Sequence, residues 1–231
     1  MLSLDWKKKL QENVLRVKDR VQKAKEAAKR KDEVFILPVT KTKSTEVIRA
    51  LTEMGFNVFG ENRVREAKEK IKELNNVKFE MIGHLQTNKV RDAIDIFTRI
   101  QSVDSLKLLT EINERASKKK IAMPVLIEVN ISGESQKYGF LPGEIMNLFR
   151  VTSSLKFVNI EGLMGMASLT NDTEKIRKEF YTLRILYERL NGEGYNLNVL
   201  SMGMTDDFEL AIMEGSNMVR IGRAFFEGLE I

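Results

Sequence analysis

Short apolar segments alternate with amphipathic segments along most of this chain, and this alternation is the feature that most constrains the fold. After residue 33, eight short runs rich in Val, Ile, Leu and Phe alternate with segments that have helical spacing of apolar residues. Such runs suit strands buried on both faces of a parallel sheet, with helices covering them. The pattern predicts an α/β fold, a single (β/α)8 TIM barrel. An open doubly wound sheet is the alternative.

The turn residues between the apolar runs define the expected bounds of each element. Strands are expected at 34–39, 57–59, 79–83, 96–102, 125–129, 157–163, 199–200 and 218–221. Helices are expected at 44–54, 62–74, 87–94, 104–119, 142–150, 172–190 and 205–214. Asp104 is expected to cap the helix at 104–119. No linker, repeat or low-complexity segment interrupts the pattern, so residues 1–231 are expected to form one domain.

Residues 1–31 are expected to add a basic amphipathic helix before the first strand, with Ser3 as a candidate cap. The apolar stripe of this helix consists of Leu10, Val14, Val17, Val21, Ala24 and Ala28. The segment carries eleven Lys or Arg against four Asp or Glu, whereas the net charge of the whole chain is +5. This pattern favours a solvated helix face. A surface for nucleic acid or an acidic partner is the alternative.

Residue types that are rare or missing exclude several classes of site. The chain has no Cys, which excludes disulfides and thiolate metal sites. His84 is the one His of the sequence, so a metal site built from several His is excluded as well. The first residues lack the apolar stretch of a signal peptide, and no run approaches the ~20 apolar residues that span a bilayer. We therefore expect a cytoplasmic protein that binds neither metal nor membrane.

A lysine follows the first expected strand, at the end of a β/α barrel where active sites lie. Leu37, Val39 and Lys41 alternate along this strand, so all three are expected to face the barrel interior. Lys41 precedes Lys43 and is expected to be nearer the core and better desolvated. Desolvation would favour a neutral, nucleophilic amine of the kind that Schiff-base chemistry requires. Spacing alone leaves open the alternative of an ordinary surface lysine.

The loops after the expected seventh and eighth strands suit an anion. Ser201 and Gly203 precede a helix, where backbone N–H groups can hold a phosphate. After the last strand, Arg220 can donate to phosphate oxygens and Gly222 lets the backbone approach them. Phosphate sites recur at these two loops in β/α barrels. An amine that faces a phosphate site indicates either a sugar-phosphate aldolase or a pyridoxal phosphate (PLP) protein.

A family resemblance favours the second of these alternatives. Seven motifs occur in order: PVTKTK at 38–43, FGEN at 59–62, IGHLQTNK at 82–89, VNIS at 129–132, EGLM at 161–164, LSMGMTDD at 200–207 and VRIG at 219–222. From about residue 34 to 226, the chain resembles the pyridoxal phosphate homeostasis protein family, also called the YggS/PROSC family. The loop at 200–207, followed by VRIG, is highly specific to that family.

The resemblance implies a single barrel similar to the amino-terminal domain of alanine racemase, with PLP as cofactor. It implies a Schiff base on Lys41. It places the other cofactor residues around the ring and the phosphate: Asn62 near the ring, and Ser201, Gly203, Arg220 and Gly222 around the phosphate or the ring nitrogen. The family often has a small hydroxyl residue where Arg223 stands, which leaves the phosphate shell open. His84 lies in a matched motif, and its role is also left open.

The implied function is reversible PLP binding in cofactor homeostasis, without turnover and without catalytic residues. PLP-dependent apoenzymes are candidate partners, and nucleic acid is not an expected partner. A PLP-dependent amino-acid racemase is the alternative function, but racemisation commonly needs two bases. No paired Tyr or Cys at a strand end supplies a second base beside Lys41. We expect a monomer, because the second domain that forms the alanine racemase dimer contact is missing.

Overall fold

A sheet of parallel strands confirms the fold that the alternation predicts. The computed structural model describes residues 4–229, and within this range eight parallel strands pair in the order β1-β8-β7-β6-β5-β4-β3-β2. The strands are β1 (Phe35–Pro38), β2 (Val58–Glu61), β3 (Lys78–Met81), β4 (Phe97–Val103), β5 (Met123–Val129), β6 (Val158–Gly165), β7 (Val199–Ser201) and β8 (Met218–Ile221). At most of the strand ends, the predicted bound differs from the observed one by a few residues.

The first and second strands meet at their carboxyl ends, which brings the sheet round to a nearly closed barrel. Val39 forms a parallel bridge with Gly60 beyond the end of β1. The Thr40 N–H donates to the Gly60 carbonyl at 3.0 Å. On its other side, β1 pairs with β8 from Phe35 to Pro38. The (β/α)8 barrel is thus confirmed, and the open sheet is not observed.

Helices cover the outer face of this barrel. They are α1 (Leu4–Ala27), α2 (Thr45–Glu53), α3 (Val64–Glu73), α4 (Val90–Ile96), α5 (Leu106–Lys119), α6 (Ile145–Val151), α7 (Thr173–Gly192), α8 (Phe208–Met213) and α9 (Arg223–Phe226). The prediction that Asp104 caps α5 is wrong: Ser105 is the cap, and its Oγ accepts from the Leu108 N–H. Among residues 4–229, no helix has both the length and the apolar character required to cross a bilayer.

The expected basic helix α1 packs against α8 and α9 on the outside of the barrel. Its predicted apolar stripe is buried from Leu10 to Ala24. The buried Asn13 amide donates to the carbonyls of Phe225 and Glu227 at 3.0 and 2.9 Å, which ties the helix to the end of the barrel. The proposed cap Ser3 lies outside the described residues. The basic side chains of α1 are exposed or half-buried, as on the solvated face of a covering helix.

Strand alternation separates two apolar layers. Val125, Ile127 and Val219 belong to the large core between the sheet and the helices. Their strand neighbours Leu126 and Met218 form a separate buried cluster with Met164 and Val199. Since successive side chains of a strand point to opposite faces, the second cluster fills the barrel interior.

Gly162 on β6 provides a test of how closely neighbouring strands approach. A Cβ at Gly162 would lie 1.8 Å from the Val199 carbonyl oxygen of β7, a backbone atom that cannot move aside easily. Gly162→Ala is therefore expected to lower the free energy of unfolding by about 1–3 kcal/mol, measured by urea unfolding. Gly192→Ala is the matched control, because a Cβ at the end of α7 would meet no atom within 4 Å. Equal stabilities of the two variants would contradict this packing argument.

Candidate functional site

A cavity of about 450 Å³ opens at the carboxyl ends of the strands. Four of the six predicted cofactor residues line it: Lys41, Asn62, Arg220 and Gly222. Ile82, Met166 and Met204 add apolar walls from the loops after β3, β6 and β7. The structure therefore brings together an amine, an amide and a guanidinium that are up to 179 positions apart in the sequence.

Lys41 lies in a turn and not in the strand, because β1 ends at Pro38. The Lys43 N–H closes the turn by donating to the Thr40 carbonyl at 3.0 Å. The prediction that Lys41 is more desolvated than Lys43 is wrong: Lys41 is exposed, whereas Lys43 is half-buried. The two lysines differ in direction instead. Lys41 lines the cavity, while the Lys43 ammonium lies 4.9 Å from the centroid of the Phe226 ring.

Arg220 lies on β8, and its buried guanidinium reaches the cavity from below. One nitrogen, Nη1, donates to the carbonyl oxygen and the Oγ of Ser201 at 2.8 and 2.7 Å, and Nη2 donates to the Gly165 carbonyl at 2.9 Å. Burial lowers the pKa of Arg220 to about 10, opposed by the carboxylates of Asp207 and Glu128. The group is thus a buried cation with a fixed orientation at the floor of the cavity.

Ser201 and Gly203 do not line the cavity. The Ser201 hydroxyl is buried in the barrel, where it accepts from Arg220 and donates to the Gln101 Oε1 at 2.7 Å. Gly203 has φ of +95°, and a Cβ there would lie 2.5 Å from the Cβ of Ala211 on α8. The first residue therefore supports Arg220, and the second lets the loop after β7 pack closely on α8.

Two neighbouring carboxylates at 206 and 207 differ in environment. Asp206 pairs with Arg223 at the exposed rim of the cavity, so the unusual Arg223 already has an acidic partner. Asp207 is largely buried and accepts from the Met204 N–H at 2.6 Å, and burial raises the pKa of this carboxyl. Asp207 thus fixes the loop that follows β7.

Glu128 is a buried carboxyl near this site that the sequence reasoning missed. It lies on β5 beneath the rim, and burial, with the nearby Asp104, raises its pKa to about 7, while Arg220 opposes the shift. The signal was present in the sequence as a lone acid within the apolar run 125–129.

The His84 side chain is held by two neighbouring side chains. Its Nδ1 lies 2.7 Å from the Oδ2 of Asp104. Its ring stacks on Tyr138, with centroids 3.8 Å apart and an interplanar angle of 12°. His84 does not line the 450 Å³ cavity and instead connects the loop after β3 to the loops after β4 and β5.

Comparisons with known proteins identify the family. Residues 12–229 match the family model for the alanine racemase N-terminal domain. A pyridoxal phosphate homeostasis protein of Aquifex aeolicus is 42% identical over 220 residues, covering 93% of this chain and 96% of the relative. A protein with the same name from Helicobacter pylori is 34% identical over 228 residues, covering 97% and 99%. The chain belongs to the family of pyridoxal phosphate homeostasis proteins.

Solved structures agree with this assignment. A protein from Bifidobacterium adolescentis, described only as an unknown protein, is 33% identical, with a TM-score of 0.90 and coverage of 98% of both chains. PipY of Synechococcus elongatus, solved with PLP bound, is 28% identical with a TM-score of 0.77, covering 90% of this chain and 99% of PipY. Alanine racemase of Clostridium difficile is 18% identical with a TM-score of 0.75, and this chain spans 57% of it, so that likeness concerns the fold alone.

The pKa of Glu128 predicts a pH-dependent stability difference. Because the folded-state pKa of about 7 lies above the ordinary value of 4.5, the carboxyl favours folding below pH 4.5, and this contribution is lost as the pH rises through 7. Glu128→Gln stays neutral throughout. Relative to the wild type, this variant should gain about 3 kcal/mol of unfolding free energy between about pH 4.5 and 8. Urea unfolding at several pH values measures this, and a pH-independent difference would contradict it.

Proposed function

We propose that this protein binds PLP in the cavity as a Schiff base on Lys41 and acts in PLP homeostasis without turnover of its own. The observation that carries the proposal is that Lys41, Arg220 and Gly222 converge on one cavity. A family relative with the same fold, PipY, has been solved with PLP bound.

The residues present fit this cofactor. PLP combines an aldehyde, an aromatic ring and an anionic phosphate, and when bound it supplies an aldehyde for condensation with an amine. Lys41 offers that amine at the mouth, and the apolar walls and Asn62 suit a ring. The buried Arg220 and the Gly222 backbone suit the phosphate or the ring nitrogen. A cavity of about 450 Å³ falls within the size range of small-molecule sites.

The remaining predicted residues are proposed to act indirectly. Ser201 holds the Arg220 guanidinium in place through two hydrogen bonds, to its carbonyl and its hydroxyl. The Gly203 carbonyl accepts from the Arg220 backbone N–H at 3.0 Å, and the positive φ of Gly203 allows the turn in the loop after β7. Substitution of Ser201 or Gly203 should therefore shift Arg220 and should not remove a direct contact to the cofactor.

The exposure of Lys41 suits reversible binding. An amine in an exposed turn is accessible from solvent, so bound PLP can be exchanged without unfolding of the barrel. We therefore propose delivery to, or buffering for, PLP-dependent apoenzymes. We further propose that the protein is a monomer and is located in the cytoplasm.

Trapping experiments test the position of the Schiff base. Lys41→Ala should abolish the visible absorption band that forms with PLP, and borohydride reduction of the wild type followed by peptide mapping should locate the adduct on Lys41. Lys43→Ala is the matched control. It should keep the band, because the Lys43 ammonium lies against Phe226 and not in the cavity. An adduct on Lys43, or an intact band in Lys41→Ala, would refute the assignment.

The absence of turnover is also testable. Among the described residues that line the cavity, none is Tyr, His or Cys, and Asp207 is engaged with the Met204 N–H. A second base opposite Lys41, which racemisation commonly needs, is therefore not provided by these residue types. We expect no racemisation of common amino acids by the PLP-loaded protein in a sensitive chiral assay. Clear turnover that is lost in Lys41→Ala would establish the enzyme alternative.

A further inference from the structure

A buried lysine lies behind the turn that carries Lys41. The Lys70 ammonium on α3 donates to the Thr40 carbonyl at 2.8 Å, to the Glu61 Oε1 at 2.8 Å and to the Glu66 Oε1 at 2.6 Å. Its side chain is 8% exposed. An ammonium has three donors, so this hydrogen-bonding capacity is fully used. Lys70 and Glu66 do not line the cofactor cavity, so any effect on Lys41 must pass through the backbone.

This cluster holds the peptide groups on both sides of Lys41. Before Lys41, the Thr40 carbonyl accepts from Lys70, and the Thr40 hydroxyl donates to the Glu61 Oε1 at 2.7 Å. After Lys41, the Thr42 N–H donates to the Glu66 Oε1 at 2.5 Å. Lys70 joins the two carboxylates, since both accept from its ammonium. The backbone of Lys41 is therefore anchored from both directions by one ionic cluster.

The turn itself needs such an anchor. Thr42 has φ of +64°, a left-handed conformation that is unfavourable for a β-branched residue. Backbone strain of this kind persists where the surroundings impose it. The bond from the Thr42 N–H to Glu66 acts directly on the strained residue. Without it, Thr42 is free to relax to a negative φ, which would redirect the peptide group that follows Lys41.

We infer that Lys70 and Glu66 are positioning residues for Lys41, holding its amine toward the cavity and thereby slowing the release of PLP. This inference rests on the function proposed above. The two residues act on the direction of the amine and not on contacts to the ligand. Their loss should therefore change the rate of PLP release and the mobility of the turn together.

Glu66→Ala is the principal test, because the Glu66 side chain is 23% exposed and its removal leaves the pair of Lys70 and Glu61 in place. Release of PLP is followed as the activity that an excess of a PLP-dependent apoenzyme regains after mixing with the PLP-loaded protein. Glu66→Ala should release PLP about tenfold faster, as expected for the loss of a charge-assisted hydrogen bond. Lys70→Met should have an effect in the same direction.

Glu69→Ala is the matched control on the same helix. Glu69 is exposed and pairs with Lys72 at 2.7 Å, away from the turn. This variant should release PLP at the wild-type rate. The thermal midpoints of Glu66→Ala and Glu69→Ala, measured in parallel, separate an effect on the turn from a general loss of stability.

Hydrogen exchange of the PLP-free protein provides a second measurement. The Thr42 amide should exchange faster in Glu66→Ala than in the wild type or in Glu69→Ala. Unchanged exchange at Thr42, or faster exchange with an unchanged rate of PLP release, would overturn the inference. If the wild type forms no visible band with PLP, the proposed function fails instead, and the exchange measurement still decides whether Glu66 holds the turn. If Lys70→Met does not fold, Glu66→Ala decides the result.

Discussion

Closure of the parallel sheet is the constraint on which the site depends. The chain begins its barrel at β1 and ends it at β8, and the pairing of Phe35–Pro38 with Met218–Ile221 places these two strands side by side. All strands are parallel, so their carboxyl ends lie on one rim. Lys41 follows β1 and Gly222 follows β8, so closure of the sheet brings both residues to one cavity. The bridge of Val39 with Gly60 completes the ring and adds Asn62 to the same rim.

The barrel interior carries a line of polar groups, which is costly unless each group is satisfied. From the cavity floor downward, hydrogen bonds connect Arg220, Ser201, Gln101, Glu80, Arg99 and Glu161. Burial raises the pKa of Glu80, although Arg99 and Gln101 oppose this shift. The line fixes the rotamer of Arg220 from below. A cation held in this way needs little reorganisation to meet an anion, because its orientation is already set.

Much of the fold follows from local sequence patterns, whereas the site depends partly on distant contacts. Alternating apolar runs predict the strands because burial on both faces selects Val, Ile, Leu and Phe. The same reasoning correctly turns Val39 and Lys41 toward the cavity. It extends the first strand too far, because the chain turns at Lys41 and Thr42, where Glu66 and Lys70 from α3 bond to the neighbouring backbone. Likewise, Asp104 and Ser105 are both residue types that cap helices, so the local sequence does not choose between them. Ser105 is the cap, and the Asp104 carboxylate instead contacts His84 from another loop.

In the proposed function, binding is divided between two ends of the cavity that differ in exposure. Arg220 at the floor is buried and held by β6 and β7, so it suits a permanent contact to an anionic group. Lys41 at the mouth is exposed, and Glu66 holds the backbone next to it, so the proposed bond to PLP would form and break without disturbing the core. An enzyme that commits its substrate would enclose the reacting amine, since exclusion of water strengthens the electrostatics of catalysis. An exposed lysine amine above a buried guanidinium of fixed orientation therefore supports the proposed role in PLP homeostasis, with affinity residing at the floor and exchange controlled at the rim.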